Sequence, residues 1–325
     1  MKIGVAGAGA WGTALALVAA QGGDVPLWMR DPGQAEAIAR AGENERFLPG
    51  LRLPKPVRPT ASLRDLASCD AVLLATPAQT TRAMVEALAG VLPAGAPIVL
   101  CAKGLERGTN LFLTDVARAV RPGAPVAVLS GPSFAADVAR GLPTAVTLAA
   151  EDGALAQRLA EAVSGPAFRV YHRTDLRGVE IGGAAKNVLA IACGAVAGRG
   201  LGESAKAALI ARGFAELLRF AAAYGAEPET LMGLSGLGDL VLTCSSAQSR
   251  NFAFGERLGR GASVAEAAGG KLAEGALTAP VLVALARARG VEMPVAAAID
   301  AVLAQRLSLD QAIDALMQRP LKSEA

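Results

Sequence analysis

Residues 2–19 read KIGVAGAGAWGTALALVA, and the fold turns on this stretch. An apolar run at 2–6 leads into Gly7-Ala8-Gly9-Ala10-Trp11-Gly12, and a helical pattern follows over 13–21. This is the GxGxxG spacing of a phosphate-binding strand–turn–helix unit. Gly7 makes the tight turn, Gly9 lets the backbone approach a pyrophosphate, and Gly12 lets helix pack on strand. The helix N-terminus adds partial positive charge where phosphates would lie. Glycine-rich turns are common, so a merely tight turn is the rival reading. Position decides against it. The motif follows the first strand and heads further strand–helix alternations, which predicts a bound dinucleotide.

The second expected strand, 25–28, runs into Arg30 and Asp31. An acidic residue near this point usually binds the ribose 2′-hydroxyl. Arginine comes first here, and a guanidinium suits a 2′-phosphate, so NADP is expected to bind at least as well as NAD. Asp31 turned inward would favour NAD instead. Pro32 marks the start of the next helix and so casts Asp31 as its N-cap.

Further apolar runs at 71–75, 98–102, 126–130, 145–149 and 169–171 alternate with helical patterns at 34–41, 82–89, 111–119 and 153–163. Such strands indicate a parallel sheet covered on both faces. After about residue 178 the strand signals stop. Helical patterns then occupy 179–197, 203–224, 251–258, 278–288, 295–303 and 309–317. The expectation is an α/β fold: a doubly wound parallel sheet over residues 1–178, then an all-helical domain over 179–325. A chain of 325 residues exceeds what one core usually serves, which agrees with two domains.

Composition narrows the function classes. The chain is 52% hydrophobic and 19% charged, as in globular proteins. Alanine inflates its mean hydropathy of +0.38. No window of about 20 residues is free of charge and glycine, so no membrane span is expected. Glycines interrupt the N-terminal apolar run, which argues against a leader peptide. Net charge is +3 with both signs interspersed, so bulk nucleic-acid binding is not suggested. Cys69, Cys101, Cys193 and Cys244 lie far apart without metal-ligand spacing, and read as buried thiols in a reducing cytoplasm. With His172 the single histidine, the base is expected to be another residue.

The chemistry is sought in residues 182–198, GGAAKNVLAIACGAVAG. A helix apolar all round belongs in a core, where lysine is almost never buried unless compensated. Burial lowers a lysine's pKa and so suits Lys186 for proton transfer near neutral pH. Alone, it also fits a stem reaching to the surface. A second anomaly accompanies it: Asp239 opens the apolar segment 240–243, and Thr243 shares its helical face. One site holding both Lys186 and Asp239 resolves the two together, although aspartate is also a good N-cap. Ser249-Arg250-Asn251 precedes a helical pattern, and cap, guanidinium and amide can converge there on one phosphate. As plain structure, Ser249 is a cap and Arg250 a surface residue.

Three strand-end loops should form the ligand rim: Ala75-Thr76-Pro77, Cys101-Ala102-Lys103-Gly104 and residues 130–135, SGPSFA. Lys103 would add a cation at its mouth.

Taken together, the chain resembles bacterial NAD(P)-dependent glycerol-3-phosphate dehydrogenases nearly end to end. The resemblance rests on GAGAWGTALA, ENERFLPG, ATPAQ, CAKGLE, SGPSFAADVARGLPTAV, KNVLAIACG, AALIARG, SGLGDLVLTC, SSAQSRNFAFG and AEGALT. It implies a Rossmann domain followed by a helical domain, in a cytoplasmic homodimer. The implied reaction is reversible reduction of dihydroxyacetone phosphate to sn-glycerol 3-phosphate, the phospholipid backbone precursor. By position, Lys186 would be proton donor and acceptor, with Lys103 and Asp239 assisting. Lys103, Gly131, Ser133, Asp239, Ser249, Arg250 and Asn251 would surround the substrate. Beside Gly7, Gly9, Ala10 and Gly12, the cofactor would touch Trp11, Arg30, Lys103, Ala135, Arg250, Leu272 and Glu274. Ala10 departs from a frequent serine, and Phe47 from a frequent tyrosine. A dehydrogenase for another keto substrate, or an inactive NADP-binding sensor, remains the rival.

Overall fold

Strands built from valine, leucine, isoleucine and alanine can be buried on both faces, and most of those here are. The computed structural model describes residues 1–270 and 273–320. Its strands are β1 (Ile3–Ala6), β2 (Val25–Trp28), β3 (Val57–Thr60), β4 (Ala71–Leu74), β5 (Ile98–Leu100), β6 (Val126–Ser130), β7 (Thr144–Ala150) and β8 (Phe168–Arg173). They form one eight-stranded sheet in the order β3-β2-β1-β4-β5-β6-β7-β8.

Six helices accompany the strands: α1 (Ala10–Ala19), α2 (Pro32–Ala41), α3 (Thr81–Ala89), α4 (Leu113–Val120), α5 (Ala135–Ala139) and α6 (Gly153–Val163). Val5, Leu27 and Leu73 pack with α1, α2 and α6 on one face. Val72, Leu74 and Leu100 pack with α3 and α4 on the other. This is the doubly wound arrangement the alternation predicts.

Two details of the sheet differ from the sequence reading. β3 lies where no strand is expected, because its VRPT sequence carries no apolar alternation and contains a proline. Proline lacks an N–H and is tolerated at a sheet edge, where β3 sits. β7 runs antiparallel to β6, whereas the other pairs are parallel. A parallel return is usually carried by a helix that spans the sheet, and the connection 131–143 holds only the five-residue α5. The chain therefore turns back beside β6.

The remaining helices are α7 (Leu176–Gly198), α8 (Glu203–Ala223), α9 (Pro228–Met232), α10 (Asp239–Cys244), α11 (Arg250–Gly259), α12 (Val264–Ala268), α13 (Glu274–Ala288), α14 (Pro294–Leu303) and α15 (Leu309–Met317). By length and composition α7 would suffice to cross a membrane, yet 83% of its apolar window is buried inside the protein. Its glycines explain how so many neighbours fit. A Cβ at Gly182 would lie 2.5 Å from the Ser235 carbonyl oxygen, and one at Gly183 2.6 Å from Ser130 Oγ. Helix α7 thus joins the sheet's β6 end to the helical half and carries Lys186 into the seam.

Candidate active site

The strand order reverses between β1 and β4, and an α/β sheet offers its ligand crevice beyond the carboxyl ends of the strands at such a point. Gly7 adopts φ +117°, and a Cβ there would meet the Ala75 backbone at 2.9 Å. At Gly12 a Cβ would collide with the Gly7 carbonyl oxygen. Above Gly9 nothing lies within 4 Å. Tight turn, open approach and close packing thus fall at Gly7, Gly9 and Gly12, in the order the motif requires.

Polar atoms around this crevice also await partners. Trp11 Nε1, Thr76 Oγ1, Ser130 Oγ, Glu274 Oε2 and Thr278 Oγ1 are buried without a hydrogen-bond partner among the described residues. Buried polar groups are normally satisfied, so these orphans fit a site that a polar ligand completes. Glu274 comes from α13 yet accepts from the Ala78 amide at 3.2 Å, which ties the helical half to the loop after β4. Burial pushes its carboxyl pKa up. Arg30 is exposed two positions beyond β2, whose Trp28 carbonyl accepts from the Gly7 amide at 2.9 Å. Asp31 caps α2 by accepting from the Gly33 amide at 3.0 Å. Ala135 opens α5, which packs against α1. Leu272 lies outside the described residues.

Across the seam the two lysines share one carboxylate. Lys186 Nζ donates to Asp239 Oδ1 at 2.5 Å and to Thr243 Oγ1 at 2.6 Å. Lys103 Nζ donates to Asp239 Oδ2 at 2.7 Å and to the Gly131 carbonyl at 2.9 Å. Ser133 Oγ donates to the same carbonyl at 3.0 Å. A π-helical turn, Leu234–Gly238, leads into Asp239, a distortion that occurs frequently at functional sites. The Asp239 side chain is not an N-cap, since α10 lacks a side-chain cap and its carboxylate serves the lysines. Only 6% of the Lys186 side chain is exposed. Burial lowers its pKa to about 8; Asp239 pulls the other way and the Lys103 charge adds to the lowering. An ammonium has three hydrogens, and protein groups occupy two of those on each lysine. One donor remains on each.

Helix α11 contributes the last group. Ser249 is its N-cap, accepting from the Phe252 amide at 3.2 Å. Arg250 is exposed and pairs with no carboxylate among the described residues. Asn251 is instead held inside: it donates to Asn187 Oδ1 and accepts from the Gly275 amide, both at 2.9 Å. Asn187 in turn donates to the Lys103 carbonyl at 2.9 Å. Asn187 is the residue that sequence reasoning left without a role. Its only signal was polarity beside Lys186 in an apolar helix. Among the described residues no cluster of His, Cys, Asp or Glu side chains is arranged to hold a metal ion.

A glycine-rich loop at a sheet's switch point, joined to a helical half that holds a buried lysine, is the arrangement of a dinucleotide-dependent dehydrogenase. Residues 2–156 match the family described as NAD-dependent glycerol-3-phosphate dehydrogenase N-terminus, and residues 175–314 the corresponding C-terminus. The chain belongs to that family. A glycerol-3-phosphate dehydrogenase (NAD(P)+) of Azorhizobium caulinodans is 65% identical, covering 100% of this chain and 98% of that one. Another, from Methylobacterium radiotolerans, is 64% identical over 99% and 98% of the two chains. The crystal structure of glycerol-3-phosphate dehydrogenase from Coxiella burnetii superposes with a TM-score of 0.93 at 39% identity, over 98% of each chain.

Proposed function

We propose that this protein catalyses the reversible reduction of dihydroxyacetone phosphate to sn-glycerol 3-phosphate, the backbone of glycerophospholipids. One observation carries the mechanism: Lys186 is buried, held by Asp239 and Thr243, and left with one hydrogen to donate. When bound, NAD(P)H supplies the hydride for the C2 carbonyl. Lys186 as ammonium gives its remaining proton to the C2 oxygen, and as neutral amine takes it back in the reverse direction. Lys103 stabilises negative charge on that oxygen, while Asp239 orients both cations. Ser249, Arg250 and the start of α11 receive the phosphate, with Asn251 bracing the pocket from behind. Gly131 and Ser133, beside Lys103, would complete the substrate pocket. Gly7, Gly9, Ala10, Trp11 and Gly12 would hold the cofactor, with Ala135 and Glu274 contributing. Loss of nicotinamide absorbance on adding dihydroxyacetone phosphate tests the activity directly; no loss with either NADH or NADPH would refute it.

The catalytic pH profile follows from the lysine. Reduction needs the ammonium, so its rate should fall as pH rises through about 8. Oxidation of glycerol 3-phosphate needs the amine, so its rate should rise through about the same value. Initial rates in both directions between pH 6 and 10 check the sign, and profiles that run in parallel would contradict it.

We also propose a preference for NADPH, supported by Arg30 beyond β2 and by the engagement of Asp31 as a cap. Arg30→Ala should weaken NADPH about tenfold, at the lower end of a charged hydrogen bond's contribution, and leave NADH nearly unchanged. Equal losses in titrations of the two nucleotides would show that Arg30 does not read the 2′-phosphate. We further propose a domain boundary near residue 178, within the first turns of α7. Leu176 and Val179 pack with the sheet, and Ile181 onward packs with the helices. A cytoplasmic homodimer completes the proposal.

A further inference from the structure

Asn44 lies outside every strand and helix, in the segment 43–50 between α2 and β3, and yet is 0% exposed. Its Nδ2 donates to the Ala8 carbonyl at 3.0 Å and to Thr13 Oγ1 at 2.7 Å. Its own carbonyl accepts from the Phe47 and Leu48 amides at 3.1 and 2.8 Å, and Leu48 is buried in the core under α1. The segment closes on itself by a bridge between Glu43 and Arg52 and by the Leu53 amide on the Gly42 carbonyl at 2.8 Å. The side chain is therefore presented from a fixed base.

Ala8 is the residue between the first two glycines of the phosphate loop. Its C=O and the Gly9 N–H belong to one planar trans peptide, so the two groups point in opposite directions. Holding the Ala8 carbonyl inward on Asn44 turns the Gly9 amide outward, at the glycine above which nothing lies within 4 Å. The second Nδ2 hydrogen bonds Thr13, whose amide makes the first α1 bond to the Gly9 carbonyl at 2.9 Å. One amide thus ties together both sides of the loop. The amide orientation is set by chemistry: Ala8 O can only accept, so the NH2 group must face it. Asn44 Oδ1 is left without a partner among the described residues.

We infer that Asn44 is a positioning residue for the dinucleotide's pyrophosphate, acting through the Ala8–Gly9 peptide and touching neither substrate nor the reacting atoms. The inference rests on the cofactor reading above. The pyrophosphate is common to NADH and NADPH, so an Asn44 defect should weaken both by the same factor, unlike an Arg30 defect.

Asn44→Asp keeps the shape but offers only acceptors to Ala8 O and Thr13, and adds negative charge behind the loop. Dissociation constants for NADH and NADPH, read by nucleotide fluorescence, should both rise about tenfold or more. Turnover at saturating nucleotide should fall less than affinity does. Thr13→Val keeps the bond to Ala8 and should raise both constants about threefold. Wild-type protein that binds neither nucleotide would sink the cofactor reading itself. With wild-type binding intact, unchanged constants in Asn44→Asp, or a loss confined to one nucleotide, would overturn the assignment. So would a fall in saturated turnover as large as the loss of affinity. Should Asn44→Asp not fold, Thr13→Val decides: an equal rise for both nucleotides supports the role, and no rise refutes it.

Discussion

Lys186→Met is expected to bind NADPH as the unsubstituted protein does and to turn over at least ~100-fold more slowly in both directions, the scale of a lost general acid. Methionine has similar length and suits the apolar bed of Ala184, Ala185 and Val188, all nearly inaccessible to solvent. The substitution does not strand the carboxylate. Asp239 keeps Lys103 at 2.7 Å, and Thr243 Oγ1, already 3.4 Å from Asp239 Oδ1, can turn its hydrogen there. The fold should therefore survive, and the loss should be chemical. Nor can another group easily take over. Lys103 is drawn to the far carboxylate oxygen and the Gly131 carbonyl, and His172 lies on β8 in an exposed position. Steady-state rates beside a nucleotide titration measure the effect. A variant with near-normal rate would remove Lys186 from the proton-transfer step.

Arg250→Ala is expected to raise the Michaelis constant for dihydroxyacetone phosphate about 10- to 100-fold. A charge-assisted hydrogen bond is worth roughly 1.5–3 kcal/mol, and this one would fall on the substrate's phosphate. Stability should not suffer. Arg250 stands in the first turn of α11, where the helix dipole disfavours a cation by about 0.3–1 kcal/mol unless an anion is present. Unphosphorylated dihydroxyacetone is the matching control. It should be a very poor substrate for the unsubstituted protein, and Arg250→Ala should hardly change its kcat/KM. If phosphorylated and unphosphorylated substrates turn over alike, α11 does not open onto a phosphate site.

Both predictions start from anomalies visible in the chain: a lysine in an apolar helix, and an arginine at a helix start. Local chemistry made other features equally legible. Gly7, Gly9 and Gly12 fill their separate tasks because each depends on atoms a few residues away or on a neighbouring strand end. Asp31 and Ser249 cap the helices that follow them because capping involves a side chain and an amide two or three positions on. The apolar runs placed most strands because parallel strands are buried on both faces, whatever their order.

Order, direction and partnership came from tertiary structure. β3 exists because an edge position beside β2 accepts a proline-containing strand, and β7 is reversed because a short α5 cannot carry the chain back across the sheet. That Lys186 and Asp239 belong together could be argued from two burial problems with one solution. That the same carboxylate also grips Lys103 could not. The partners stand 53 and 136 positions apart, and their meeting depends on the glycines that let α7 touch both Ser130 and the turn before α10. Asn187 and Asn44 are hidden for the same reason. An asparagine's usefulness lies in which acceptors face it, and residues distant in sequence supply those only after the core has packed.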